Sequence, residues 1–192
     1  MALKAIIFDV DGTLANTEHD GHLQAFNEAF DFFGLDWYWD SNLYGDLLSV
    51  SGGKERLNHF IKEYHPKMIN TLTSDDIAKI HRKKTDIFVS KIFEGSISLR
   101  TGVERLIQDA LGNNLRLAIA TTTSYENVKA ILVSALGEGA LNNFEIIAAG
   151  DIVKNKKPSP EIYNYVLEKL NLNANECLAI EDSEIGFNSS TA

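Results

Sequence analysis

The chain has 192 residues, of which 44% are apolar and 23% charged, so it can bury a core and does not have the composition of a disordered chain. Its 18 basic and 27 acidic side chains give a net charge of −9, which argues against a nucleic-acid backbone or an anionic membrane as the main partner. The one cysteine, Cys177, excludes an internal disulfide and a cysteine zinc site.

The chain runs straight into its first predicted strand, with no basic-then-apolar leader. No apolar run approaches the ~18 residues needed to span a membrane. A cytoplasmic location is expected. Ala5 to Phe8 reads as a buried strand. Asp9 and Asp11 follow, and Gly12-Thr13 breaks the strand. The two carboxylates therefore fall at the carboxyl end of a central strand, where open α/β sheets bind their ligands. Two close carboxylates repel unless a cation or a shared proton compensates. The pair suits a hard cation such as Mg2+, and it suits one Asp as nucleophile beside another as acid and base.

Helical spacing follows. Leu23, Phe26, Phe30 and Phe33 recur at steps of three and four, with Gly34 as the stop and Gly21 as a weak point inside. Trp37, Tyr38 and Trp39 are expected in a packed turn between helices. Leu57, Phe60, Ile61 and Tyr64 mark a second helix, preceded by Gly52-Gly53. Thr73-Ser74-Asp75-Asp76 is a helix start, and Ile77, Ile80, Phe88 and Ile92 form the apolar stripe of a long helix. No strand is evident between Glu18 and Phe93.

Alternation of strand and helix then resumes. Val103, Leu106, Ile107 and Ala110 mark a helix ending near Gly112. Leu115 to Ala120 reads as a second strand, ended by Thr121-Thr122-Thr123. Val128, Ile131, Leu132 and Ala135 give the next helix face, and Phe144 to Ala149 a third strand. Ser159-Pro160 opens a helix carrying Ile162, Val166 and Leu170. Cys177 to Ile180 reads as a fourth strand, with the cysteine as a small buried core residue, and Glu181-Asp182 follows it.

The fold class predicted is α/β: a doubly wound parallel sheet with a helical cap inserted after the first strand. Residues 1–16 and 97–192 form the core and 17–96 the cap, with linkers near Ala15–Thr17 and Ser96–Thr101. In a parallel sheet the polar groups after all four strands project to one edge: Asp9 and Asp11, Thr121, Lys157, and Glu181-Asp182. Each alone has an ordinary explanation, as a turn residue, a solvated loop charge or acids at a helix start. Their convergence in this order points to a site.

This order resembles the haloacid dehalogenase-like hydrolases. The motifs are Asp9-Val-Asp11-Gly12-Thr13, Thr121 after an apolar strand, Lys157 before Pro158, and Glu181-Asp182-Ser183. The helical cap resembles the β-phosphoglucomutase-like subgroup. Within it, Glu18…His22, Ser51-Gly-Gly-Lys-Glu-Arg56, His81-Arg-Lys-Lys84 and Ala120-Thr-Thr-Thr-Ser124 are similar to the CbbY-like phosphatases of xylulose 1,5-bisphosphate.

The resemblance implies that Asp9 attacks phosphorus and that Asp11 protonates the leaving oxygen and later activates water. It implies Mg2+ on Asp9, the Asp11 carbonyl and Asp182, with Glu181 nearby. Lys157 and Thr121, with the N–H groups of its neighbours Thr122 and Thr123, would hold the phosphate. Asp11 in place of tyrosine favours phosphate over carbon–halogen chemistry.

In the cap, Gly53 and Lys54 are expected to approach a second phosphate, because two glycines let the backbone come close to an anion. Lys84 falls at a position resembling the lysine that reaches into the active site in β-phosphoglucomutase-like caps, and Glu18 and His22, near the hinge, are expected to bind sugar hydroxyls. The partner expected is a small phosphorylated sugar. Alternatives are a sugar phosphomutase, a receiver-like phosphate acceptor, and a truncated phosphate-binding remnant. The chain ends at Ala192, inside the helix after the fourth motif, where the resemblance implies further chain. A shortened sheet edge is therefore expected, in a monomer or in a dimer formed through that edge.

Overall fold

The protein is described from a computed structural model, which covers residues 2–69 and 71–192. Four strands, β1 (Ala5–Phe8), β2 (Arg116–Ala120), β3 (Ile146–Ala148) and β4 (Cys177–Ile180), form one parallel sheet in the order β3-β2-β1-β4. Ile7 pairs with Ala118 on one side and with Ala179 on the other, so β1 is central and wholly buried. The chain steps outward from β1 to β3, then returns to the other side of β1 for β4. The crevice where the order reverses opens beside the end of β1, the place where such sheets bind ligands.

Side-chain alternation assigns the two faces. Ile6, Phe8, Leu117 and Ile119 belong to one apolar cluster, with Ile107 of α5 (Val103–Gly112) and Val128, Ile131 and Leu132 of α6 (Tyr125–Leu136). Ala5, Ile7, Ala118, Ala120 and Ala148 face the other way, onto Ile162, Val166 and Leu170 of α7 (Glu161–Leu170). Four of those five strand residues are alanine, which leaves room for Tyr163 of α7 in the same buried cluster. The last helix, α8 (Glu184–Thr191), is capped by Ser183, whose side chain accepts from the Gly186 N–H.

Between β1 and β2 the chain is helical: a π-helical turn at Glu18–Leu23, then α1 (Gln24–Phe32), α2 (Ser41–Leu47), α3 (Gly53–Tyr64) and α4 (Ser74–Phe93). This insert has its own apolar cluster of Phe26, Phe30, Trp37, Trp39, Leu57, Phe60, Ile77 and Ile80. α4 belongs to both cores, because Phe88 and Ile92 pack in the cluster under the sheet. Its start is a capping box, in which Thr73 and Asp76 satisfy each other's backbone N–H groups. The two linkers of the insert run together. Ala15 bridges Leu99 antiparallel, and the Arg100 N–H donates to the Leu14 carbonyl at 2.8 Å.

Several expectations need correction. Cys177 is half-buried, because β4 is an edge strand with one side unpaired. Phe33 lies past the end of α1 and is 40% exposed, Tyr64 ends α3 at 52%, and Leu106 and Ala135 also face outward. α2 adds a helix that the apolar spacing does not announce, since Ser41–Leu47 is short and its buried residues are only Tyr44 and Leu47. Gly21 is a requirement and not a weak point: a Cβ there would meet the Phe88 ring at 2.6 Å and the Ile97 side chain.

Candidate active site

A cavity of about 160 Å³ lies between the carboxyl edge of the sheet and the insert, and all four strand ends reach it. The first turn is set by Gly12 at φ +79°, where a Cβ would collide with the Asp182 carboxylate. This turn sends the insert away while keeping both Asp9 and Asp11 on the cavity wall.

Asp9 is 7% exposed, and its N–H donates to the Ile180 carbonyl, which locks it between β1 and β4. The Lys157 Nζ donates to Asp9 Oδ1 and to Glu181 Oε1, both at 2.6 Å. The Tyr163 hydroxyl donates to the same Glu181 oxygen. Burial pushes the Asp9 carboxyl up to about 8, and Lys157 works against that rise. Burial also opposes the charge on Lys157, but Asp9 and Glu181 overcome it and hold the ammonium above the ordinary lysine value. Asp182 is raised too, by burial and by Glu181 beside it, and it accepts from the Thr13 hydroxyl at 3.3 Å.

Asp11 is turned toward the insert. Its Oδ1 accepts from the Thr17 hydroxyl at 2.5 Å and lies 2.9 Å from His22 Nε2. His22 Nδ1 lies 2.7 Å from the Lys84 Nζ, and its ring stacks on Phe88 at 4.1 Å. Burial lowers Lys84 to about 8, so it is charged at neutral pH and can only donate. Nδ1 of His22 must then accept, which puts the ring proton on Nε2, facing Asp11. Burial opposes the charge on Asp11, but His22, Thr17 and Lys84 overcome it and hold its carboxyl below the usual range.

The loop after β2 completes the wall. Thr121 is buried, its N–H donates to the Ala148 carbonyl, and its hydroxyl accepts from the Thr123 N–H at 3.3 Å. Thr123 is held in turn by Asn127 Nδ2 at 2.9 Å, and the Thr122 hydroxyl faces Ser51 of the insert at 3.4 Å. One carboxylate oxygen each from Asp9, Glu181 and Asp182 lie within 4.8 Å of one another, a hard donor set that fits a divalent cation such as Mg2+.

Of the residues expected in the insert, Glu18, His22, Gly53 and Lys84 line this cavity. Lys54 does not. It forms an ion pair with Asp151 of the loop after β3, in a separate groove on the seam. The helical period explains this. Lys54 and Arg56 are two residues apart, about 200° around α3, so the face that presents Arg56 to the cavity turns Lys54 away. Gly53 has its flank filled by the His81 ring, which a Cβ would strike.

Arg56 enters the sequence reading only as the end of the Ser51–Arg56 motif, with no role of its own, and Tyr163 and Asn127 do not enter it at all. The step of three from Gly53 to Arg56 on one helix face was the available signal for the first. Tyr163 and Asn127 carry no local signal, since each reads as part of an ordinary helix.

Comparison with known proteins agrees with this geometry. The family model for "haloacid dehalogenase-like hydrolase" matches residues 3–186. Protein CbbY of Rhodobacter capsulatus is 47% identical over 193 residues, covering all of this chain and 82% of that protein. CbbY of Cereibacter sphaeroides is 46% identical over 185 residues, covering 96% of this chain and 78% of that protein. The crystal structure of CbbY from Rhodobacter sphaeroides in complex with phosphate superposes with a TM-score of 0.90 at 45% identity, over 98% of this chain and 81% of that one. An aspartate-to-asparagine mutant of it, in complex with xylulose-(1,5)bisphosphate, gives the same TM-score at 44% identity over the same shares of the two chains. With four strand ends bearing the expected groups and matches over nearly its whole length, the chain belongs to the haloacid dehalogenase-like hydrolases, as a CbbY-like member.

Proposed function

We propose that the protein is a Mg2+-dependent sugar-phosphate phosphatase that works through an aspartyl-phosphate on Asp9, with a pentose bisphosphate such as xylulose 1,5-bisphosphate as its substrate. The observation that carries this reading is the split environment of the two aspartates. Asp9 is buried against Lys157 at the floor of the cavity, whereas Asp11 is turned to His22 and Thr17 at its roof. This split supports a reading in which one carboxylate attacks and the other moves protons.

Asp9, whose ionised form Lys157 favours and a bound Mg2+ would favour further, attacks phosphorus with one carboxylate oxygen, and the P–O bond to the sugar breaks as the P–O bond to Asp9 forms. Asp11, ionised before substrate arrives, takes up a proton as the anionic substrate binds, gives it to the departing sugar oxygen, and then takes one from the water that hydrolyses the acyl phosphate. The Nε2–H of His22 holds the Asp11 carboxylate in place between these steps. Lys157 and the Thr121 hydroxyl steady the phosphoryl oxygens. Mg2+ on Asp9, Glu181 and Asp182 would supply charge neutralisation for the incoming phosphate. Arg56 and Lys84, the cations on the insert side of the cavity, support a substrate with a second phosphate. The bisphosphate bound by the CbbY relative supports the same choice.

The test is phosphate release from pentose bisphosphates in the presence of Mg2+, with Asp9→Asn as the control. An amide cannot form the acyl phosphate, so release should fall at least 1,000-fold. Near wild-type release from the variant would reject Asp9 as nucleophile. An isomeric sugar phosphate in place of free phosphate would identify a mutase.

A further inference from the structure

A chain of buried polar groups runs from the backbone of α2 to the cavity wall, and it ends on Glu18. It starts at Arg56, which is 8% exposed and whose Nε donates to the carbonyls of Leu47 and Val50 at 3.2 and 3.3 Å. The Leu47 carbonyl is at the carboxyl end of α2, where a cation is favoured, and the Val50 carbonyl is in the turn that follows. The guanidinium lies 5.2 Å from the centre of the Tyr44 ring, and its Nη1 donates to the Tyr44 hydroxyl at 2.9 Å. Arginine can only donate, so the Tyr44 oxygen accepts there and its own proton points elsewhere. It goes to Glu18 Oε2, at 2.6 Å. Tyr44 is 3% exposed and does not line the cavity, whereas Glu18 does.

We infer that Tyr44 is a positioning residue: with Arg56 behind it, it fixes the Glu18 carboxylate to accept hydrogen bonds from the hydroxyls of a sugar-phosphate substrate. This rests on the reading of the protein as a sugar-phosphate phosphatase. A carboxylate on the wall of a cavity that takes phosphates repels the phosphate groups and attracts donors. It therefore selects a polyhydroxy skeleton and fixes which part of the substrate lies under the insert. To do so it must hold one rotamer, and a glutamate at the start of an insert has three torsions to restrain. The Tyr44 hydroxyl restrains them through Oε2. The phenol is suited to this, because burial holds its proton well above the ordinary tyrosine range and it remains a donor.

Tyr44→Phe removes the hydroxyl and keeps the ring that stacks on Trp39 and under Arg56. The variant should raise KM for a pentose bisphosphate at least 10-fold with kcat within about 3-fold of wild type. Its rate on a small aryl phosphate without hydroxyls should stay within 2-fold. In a Glu18→Ala background the same substitution should cause no further loss, because the group it positions has gone. Equal losses on both substrates, losses that multiply in the double variant, or an unchanged KM would each overturn the positioning role. A wild-type protein that cleaves the aryl ester but no sugar phosphate would instead overturn the functional reading, and this inference with it.

Discussion

His81 is held without a charge on the insert side of the cavity wall. Burial, with Lys84, Lys54 and His22 around it, pushes its imidazole down to about 3, and only Asp151 works the other way. The unfolded chain takes up this proton as the pH falls through about 6.5, and the folded chain resists until about 3. The unfolded state therefore binds more protons in that window, and stability falls as the pH falls, by up to about 1.4 kcal/mol per pH unit. Denaturant titrations at pH 7 and pH 5 should show a smaller loss for His81→Gln than for wild type. An equal loss would mean that His81 is protonated in the fold. Residues differ in how far their sequence context announced them. Asp9, Asp11, Thr121, Lys157, Glu181 and Asp182 each follow a strand whose apolar run is legible, so the parallel sheet gathers them. Tyr44 is legible only as one residue of a short helix, because its partner Glu18 is 26 positions away and meets it only in the folded insert. The glycines before Lys54 point it toward the cavity, but its place around the helix decides the outcome and turns it to Asp151.

Among the elements, α4 carries the most. Its first turns pack in the insert and its last turns under the sheet, so its start has to be fixed for both cores to register. The Thr73 hydroxyl accepts from the Asp76 N–H at 3.2 Å, and Asp76 accepts from the Thr73 N–H at 2.9 Å. Thr73→Ala should lower the melting temperature by about 2–4 °C, the usual consequence of losing a cap in a chain of this size, and Thr73→Ser should restore it. No change with alanine would show that packing alone sets the start. This helix was legible in full, because its cap residues and its period of three and four agree. The π-helical turn at Glu18–Leu23 was not, since nothing in Glu18-His-Asp-Gly-His-Leu23 distinguishes it from a first α-helical turn. What demands it is tertiary: His22 has to stack on Phe88 while reaching Asp11.

At the scale of the molecule, the net charge of −9 includes three carboxylates converging on one point, with Lys157 as their near cation. A divalent cation that binds there should favour the folded state, by about 2.7 kcal/mol at one hundred times its dissociation constant. Mg2+ should thus raise the melting temperature by several degrees, chelator should reverse the shift, and Asp182→Asn should abolish it. A melting temperature indifferent to Mg2+ in the wild type would count against a cation at this site. The paired linkers of the insert bear on how such a molecule can change over evolutionary time. Ala15 and Leu99 lie side by side in one antiparallel bridge, so the chain leaves the sheet and returns at nearly the same point. To the sheet, the whole insert is a closed loop whose ends are already joined, and its length has little effect on the cost of closing it. Helices can be lengthened, shortened or exchanged above the bridge without disturbing strand order or the spacing of the groups that follow the strands. The face of α4 that carries Phe88 and Ile92 is the constraint on that freedom, because any replacement must still cover the apolar surface beneath it. New substrates can therefore be acquired by editing the roof while the chemistry below stays the same.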